Sequence, residues 1–190
     1  MADGAPDPSL LVVLAHPALE RSRANRAMAV GAECTPEVRL HDLYELYPDY
    51  LIDVPAEQAR LLAHDTIVLQ FPLYWYSCPA LLKEWIDLVW LHGFAYGEQG
   101  EALRGKTLAC ACSTGGRDNA YGPFGHNRFS MEEFLRPFEA TAYLCGMRWS
   151  APFVSHSAAL LEEDDLKRTG KAYQAWLKGL RADRSEAVAA

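Results

Sequence analysis

Thr66-Ile67-Val68-Leu69-Gln70-Phe71-Pro72-Leu73-Tyr74-Trp75-Tyr76-Ser77-Cys78-Pro79-Ala80 is the stretch on which the fold turns. Thr66–Phe71 is a short apolar run without in–out alternation, the pattern of a strand buried on both faces. Pro72 and Pro79 then bracket a stiff aromatic loop, because each ring fixes its own φ and restricts the residue before it. Ala80–Leu91 follows with apolar side chains at helical spacing. Strand, stiff loop and helix together make half of a βαβ crossover.

The same unit recurs on either side. Leu10–Leu14 reads as a first strand and Ala24–Cys34 as its helix. Val38–His41 is a shorter second strand, with Ala56–Ala63 its helix. Thr107–Cys112 is a fourth strand followed by a helix at Met131–Cys145, and Arg148–Val154 a fifth. Glu162–Leu180 closes the chain as a helix that starts acidic and ends basic, as the macrodipole prefers. Ala182–Ala190 reads as a frayed tail. The pattern predicts an α/β three-layer sandwich: a five-stranded parallel sheet of order 2-1-3-4-5 with helices on both faces. No internal repeat or low-complexity linker interrupts it, so residues 1–190 read as a single domain with an ordered core at about 9–180.

Composition narrows the function classes. Lys and Arg number 18 against 25 Asp and Glu, a formal charge of −7 with no long basic run, which argues against nucleic acid as a partner. The N-terminus is polar and carries Asp3 and Asp7 where a secretory signal would be basic. Pro79–Leu91 is interrupted by Lys83, Glu84 and Asp87 and is too short to span a bilayer. A cytoplasmic protein is expected. The five cysteines are odd in number and include no CxxC pair, so neither a disulfide framework nor a metal site is expected. Cys110 and Cys112 share one face of the fourth strand and read as buried core thiols.

One motif misleads. Gly100-Glu101-Ala102-Leu103-Arg104-Gly105-Lys106-Thr107 matches the phosphate-loop pattern G-x-x-x-x-G-K-T. That loop needs a strand before it and a helix after it. Here a Gly-rich turn precedes it and a strand follows, so the segment reads as a turn feeding the fourth strand.

In a doubly wound sheet, ligands bind beyond the carboxyl ends of the strands, near the switch point between strands one and three. Three loops qualify. After Leu14 come His16 and then Ser22-Arg23-Ala24-Asn25. Ser22 is a plausible N-cap, and the free amides beyond it make an anion site with His16, Arg23 and Asn25 as further donors. An ordinary turn with a capping serine would look the same. After Phe71 come Leu73, Tyr74, Trp75 and Tyr76, apolar cover for a flat heteroaromatic ligand or else a lid on the core or a subunit contact. After Cys112 come Ser113, Thr114, Gly115 and Gly116, where paired glycines let amides approach a ring edge, with Tyr121 and His126 beyond them. Gly and Asn are also common in plain surface turns.

The chain resembles the flavodoxin-like NAD(P)H:quinone oxidoreductases, most of all the bacterial branch that serves as ancillary subunits of glutathione-gated potassium efflux systems. The residues that carry the likeness are Ala15-His16-Pro17 with Ser22-x-x-Asn25, Leu46-Tyr47-Pro48-Asp49, Pro72-x-x-Trp75-Tyr76-Ser77-x-Pro79 and Leu82-Lys83-x-Trp85-Ile86-Asp87. They continue with His92-Gly93-x-Ala95-Tyr96-Gly97, Thr114-Gly115-Gly116 and Ala140-Thr141-Ala142-Tyr143-x-Cys145-Gly146. The resemblance implies FMN, NAD(P)H as reductant, a homodimer with its site at the subunit interface, and two-electron ping-pong reduction of a quinone-like substrate. It implies that His16 and Ser22–Asn25 hold the phosphate and ribityl chain, that Leu73–Tyr76 lie along the flavin, and that Ser113–Gly116 bond its pyrimidine edge. Tyr121 and His126 fall near the catalytic Tyr and His of related reductases, although their spacing differs by a residue from the mammalian pattern. FAD is the less favoured flavin, for want of a segment to hold an adenine. The branch also implies a membrane antiporter as partner, with attachment to the inner face of the membrane through it. Three other readings share the sequence: an azoreductase, nitroreductase or flavin reductase on the same fold, a mainly regulatory flavin-binding subunit, and a structural domain without flavin.

Overall fold

A computed structural model describes residues 10–189, with side chains as far as Arg181. Residues 1–9 and 190, which include the polar N-terminal segment, lie outside the described residues. Four strands form the body of a parallel sheet: β1 (Leu10–Leu14), β2 (Val38–Asp42), β3 (Thr66–Pro72) and β4 (Thr107–Ser113). β5 (Arg148–Trp149) and β6 (Phe153–Ser155) both pair with β4, so the order is the expected 2-1-3-4-5. The fifth position was read as one continuous strand, and the structure corrects this. Pro152 lacks an N–H for the ladder, and residues 150–152 break the strand in two.

The helices are α1 (Arg23–Glu33), α2 (Leu43–Leu46), α3 (Val54–Leu62), α4 (Ala80–Val89), α5 (Met131–Leu144) and α6 (Glu163–Ala189). The short α2 was not foreseen; Asp42 at the end of β2 starts it by accepting from the amides of Tyr44 and Glu45. α3 begins earlier than read, capped by Asp53 with Pro55 in its first turn. α6 continues past Leu180, so the tail expected to fray from Ala182 is helical to Ala189.

Alternate residues of the buried strands feed two cores. Leu11, Val13, Ile67, Leu69, Cys110 and Cys112 face α3, α4 and α5 through Leu61, Leu81, Trp85, Leu135 and Phe138. Leu10, Val12, Val68, Ala109 and Ala111 face α1 and α6 through Met28, Ala32, Tyr173 and Leu177. Each fully buried leucine contributes about 1.5–3 kcal/mol to such a core. Cys110 and Cys112 share a face as expected, and burial pushes both thiols up in pKa. α1 and α6 meet at glycines: a Cβ on Gly31 would stand 2.6 Å from the Gly170 carbonyl oxygen.

Among the described residues, one carboxylate is fully buried. It belongs to Glu57 on α3 and accepts from His41 Nε2 at 2.8 Å, Trp85 Nε1 at 2.8 Å and the Tyr47 hydroxyl at 2.8 Å. These bonds tie α3 to β2, to the end of α2 and to α4. The phosphate-loop lookalike is a turn entering β4, as expected. Its Lys106 ammonium donates to the carbonyls of Leu62 and His64, at the end of α3, at 3.1 and 2.7 Å.

Candidate active site

Register brings the loop-bearing strand ends to one edge. Leu14 lies opposite Gln70, Gln70 opposite Ala111, and Pro72 opposite Ser113. Beyond that edge is a cavity of about 550 Å³ lined by His16, Ala18, Arg21, Ser22, Arg23, Ala24, Pro72, Leu73, Tyr74, Ser113, Thr114, Gly115, Ala158 and Ala159. A ligand the size of a nucleotide fits a space of this order. A second cavity of about 630 Å³ runs between α1 and α6 and shares Arg23 with the first.

The first loop supplies the electropositive end. After the single turn at Leu19–Arg21, Ser22 caps α1 and its Oγ accepts from the Asn25 amide at 3.3 Å. The amides of Arg23 and Ala24 have no acceptor among the described residues, so the positive end of the helix dipole opens into the cavity. The guanidinium-bearing Arg21 and Arg23 line the same end. His16 is nearly buried, and its Nδ1 accepts from the Ala18 amide at 3.1 Å. The ring proton therefore sits on Nε2. Burial lowers the His16 pKa against the opposing pull of Glu20, which leaves a neutral donor.

Asn25 belongs to this loop but does not line the cavity. It is fully buried, donating from Nδ2 to Ser113 Oγ at 2.8 Å and to Ser22 Oγ at 3.2 Å, while Gln70 Nε2 donates to its backbone carbonyl at 3.1 Å. Asn25 is a strut beneath the site, fastening the first loop to the third.

The second loop divides. Leu73 and Tyr74 form the carbon wall, with the Leu73 amide fixed on the Ser113 carbonyl at 2.8 Å. Trp75 and Tyr76 do not line the cavity. They occupy the centre of a two-residue turn in which Tyr74 and Ser77 exchange amide–carbonyl bonds of 3.0 Å. Their φ values of 47° and 63° are left-handed, a backbone that such turns normally fill with Asn and Gly. The turn holds Trp75 out at 94% exposure, while Tyr76 stacks on Phe134 at 4.9 Å.

The third loop supplies further donors. The Thr114 amide is taken by the Ser155 carbonyl at 2.9 Å, but those of Gly115 and Gly116 have no acceptor among the described residues. Gly116 is packed under Tyr121; a Cβ there would be 3.1 Å from the Tyr121 hydroxyl. Tyr121 also meets Phe134 edge-on and lies 5.4 Å from the His156 ring. Neither half-buried Tyr121 nor exposed His126 lines the cavity.

A fourth loop, residues 155–159, was missed. Ser157 donates to the Gly116 carbonyl and Ala158 to the Thr114 carbonyl, each at 2.9 Å, so this loop is laced to the third and closes the cavity with Ala158 and Ala159. The rule that singled out the other three applies here too, since the loop leaves the carboxyl end of the fifth strand.

The donor set has a definite shape: unpaired helix amides and two arginines, carbon walls from Leu73 and Tyr74, and the unpaired Gly115 amide, with Gly116 just outside the lining. It fits a flavin mononucleotide, with a phosphate for the helix amides and a flat ring with an acceptor edge for the glycine amide.

Comparisons with known proteins show the family and the fold. A family model described as "Flavodoxin-like fold" matches residues 8–180. The glutathione-regulated potassium-efflux system ancillary protein KefG of Cronobacter sakazakii is 48% identical over 168 residues, covering 88% of this chain and 91% of that one. General stress protein 14 from Treponema denticola, solved in complex with FMN, is 40% identical with a TM-score of 0.86, over 91% of this chain and 99% of that one. An NADPH-quinone reductase from P. pentosaceus is 38% identical with a TM-score of 0.80, over 88% and 96% of the two chains.

Proposed function

The chain belongs to the flavodoxin-like fold family, and from that premise we propose that it is an FMN-dependent NAD(P)H:quinone oxidoreductase with its cofactor in the sheet-edge cavity. The observation that carries this reading is the pair of unpaired donor sets around one carbon-walled space. Arg21, Arg23, Ser22 and the free amides of α1 hold the phosphate, and His16 adds its Nε2–H. Leu73 and Tyr74 cover the ring face and exclude water. The Gly115 amide, with that of Gly116 next to it, would donate to the acceptor edge of the ring; a donor of this kind is worth about 2.7–4 kcal/mol in a transition state. When bound, FMN supplies two-electron hydride chemistry between NAD(P)H and a quinone. Tyr121, against Gly116, is the proposed proton donor beside the ring, and exposed His126 the proposed donor toward the substrate.

The likeness to KefG extends the proposal to an ancillary role beside a potassium-efflux antiporter. Among the described residues no helix is long and apolar enough to cross a membrane, so attachment at the inner face of the membrane would be through that partner. Exposed Trp75 and Phe124 offer apolar anchors for a protein contact, and exposed Leu88 and Leu91 give α4 and the residues after it a surface for the proposed homodimer.

Activity tests the reading. FMN-loaded protein is expected to oxidise NAD(P)H when a soluble quinone is added, with initial rates that give parallel double-reciprocal lines. Loaded protein that leaves NAD(P)H unoxidised with every quinone tried would refute the enzymatic assignment. Transfer to azo or nitro acceptors alone would favour the sister activities of this fold.

A further inference from the structure

The third and fourth loops share a chain of polar groups for which the flavin reading has no use. His156 Nδ1 lies 3.0 Å from Thr114 Oγ1, and His156 Nε2 lies 3.2 Å from Asp118 Oδ1. Thr114 Oγ1 also donates to the Gly116 carbonyl at 3.0 Å. A hydroxyl has a single proton to give. With that proton on Gly116, the bond to Thr114 requires a proton on His156 Nδ1, and the bond to Asp118 requires another on Nε2. All three contacts are therefore satisfied together only by the imidazolium. A neutral ring keeps its proton on Nε2, toward the carboxylate, and leaves a lone pair at Nδ1. Thr114 then turns its proton to that lone pair and releases Gly116, whose carbonyl keeps only the Ser157 amide at 2.9 Å.

We propose that His156 is a positioning residue whose protonation sets the Thr114 hydroxyl, and through it how firmly the Gly115-Gly116 turn is held for the cofactor. The inference rests on the flavin reading of the cavity. The position fits the role: His156 is largely enclosed, it abuts the Tyr121 ring, and its loop is laced to the glycine turn by two backbone bonds. Among the described residues, the titratable groups against its ring are Tyr121 and the exposed Asp118. Burial lowers the His156 pKa and Asp118 opposes the shift, so the change falls below the ordinary histidine midpoint. The glycine turn is gripped when the ring is charged and slackens as pH rises.

The test is the FMN dissociation constant of the full chain, read by quenching of flavin fluorescence from about pH 8 down to about pH 5. Four proteins are compared: wild type, His156→Gln, Thr114→Val and Thr114→Ser. The pH responses of the FMN phosphate and of His16 are common to all four, so the comparison with His156→Gln removes them. Wild type and Thr114→Ser are expected to tighten on acidification by about threefold to tenfold more than His156→Gln and Thr114→Val, the worth of one neutral hydrogen bond. Identical pH profiles for wild type and His156→Gln would overturn the proposal while leaving the flavin site standing. A full wild-type response in Thr114→Val would overturn the route through Thr114. Failure of wild type to bind FMN at any pH would overturn the flavin reading itself, and the proposal with it.

Discussion

Glu57→Ala is expected to destabilise the fold by about 3–5 kcal/mol, as breaking a buried charged network does. The substitution opens a cavity and leaves the Trp85 indole N–H and the Tyr47 hydroxyl without their acceptor. For a chain of this size the loss corresponds to a fall in melting temperature on the order of 10 °C. Glu57→Gln should cost less, because Tyr47 and His41 can each turn an acceptor toward the new amide while Trp85 keeps the carbonyl oxygen. The same residue sets an acid limit. Burial alone would raise the Glu57 pKa, but the bonds from His41, Tyr47 and Trp85 outweigh it and hold the carboxyl below its ordinary value. A folded-state pKa below the unfolded one gives stability that is complete above the unfolded pKa, near 4.3, and is lost as pH falls through the lower folded value. Thermal denaturation of wild type and Glu57→Gln between neutral and acid pH checks this: the gap between them should narrow only in the acid range. A constant gap would show that the carboxylate charge contributes nothing.

Tyr121→Phe is expected to lower quinone reductase turnover by about a hundredfold while changing FMN affinity by less than about threefold. The asymmetry follows from geometry. Removing the hydroxyl leaves the ring packed on Gly116, Phe134 and His156, so the glycine turn keeps its shape. What goes is the hydroxyl proposed as the proton donor. Steady-state kinetics on FMN-saturated variant, with the dissociation constant measured separately, would separate the two effects. Unchanged turnover would refute the assigned role, and a large loss of affinity with normal turnover at saturation would make Tyr121 a structural prop.

The sheet was legible because its strands are short apolar runs without alternation, and strand order then pointed to one edge. His16, Ser22, Arg23, Ala24, Leu73, Tyr74, Ser113, Thr114 and Gly115 meet there. What the sequence hid has specific causes. Asn25 looks like one more polar donor on the first loop, and nothing local reveals that the third residue of α1 turns inward to Ser113. Trp75 and Tyr76 look like ligand-stacking rings because aromatic residues so seldom adopt two successive left-handed conformations. The fourth loop was obscured by Pro152, which splits the fifth strand and blurs where its carboxyl end lies. His156 was lost with that loop. Glu57 shows no sign of burial in sequence, since its partners come from residues 41, 47 and 85.

The proposed hold of the α1 amides and Arg23 on the phosphate of FMN is tested by one pair of titrations. Arg23→Glu reverses the charge at that point without harming the helix, since an acidic residue suits the first turn of a helix. Calorimetric titration of the flavin-free protein with FMN should give one site per chain in wild type. In Arg23→Glu, whose circular dichroism should be unchanged, affinity should fall by at least about a hundredfold, the combined effect of a lost charge-assisted bond and a new repulsion. Equal FMN affinity in the two proteins would refute the role of Arg23, and no binding by wild type would refute the flavin site.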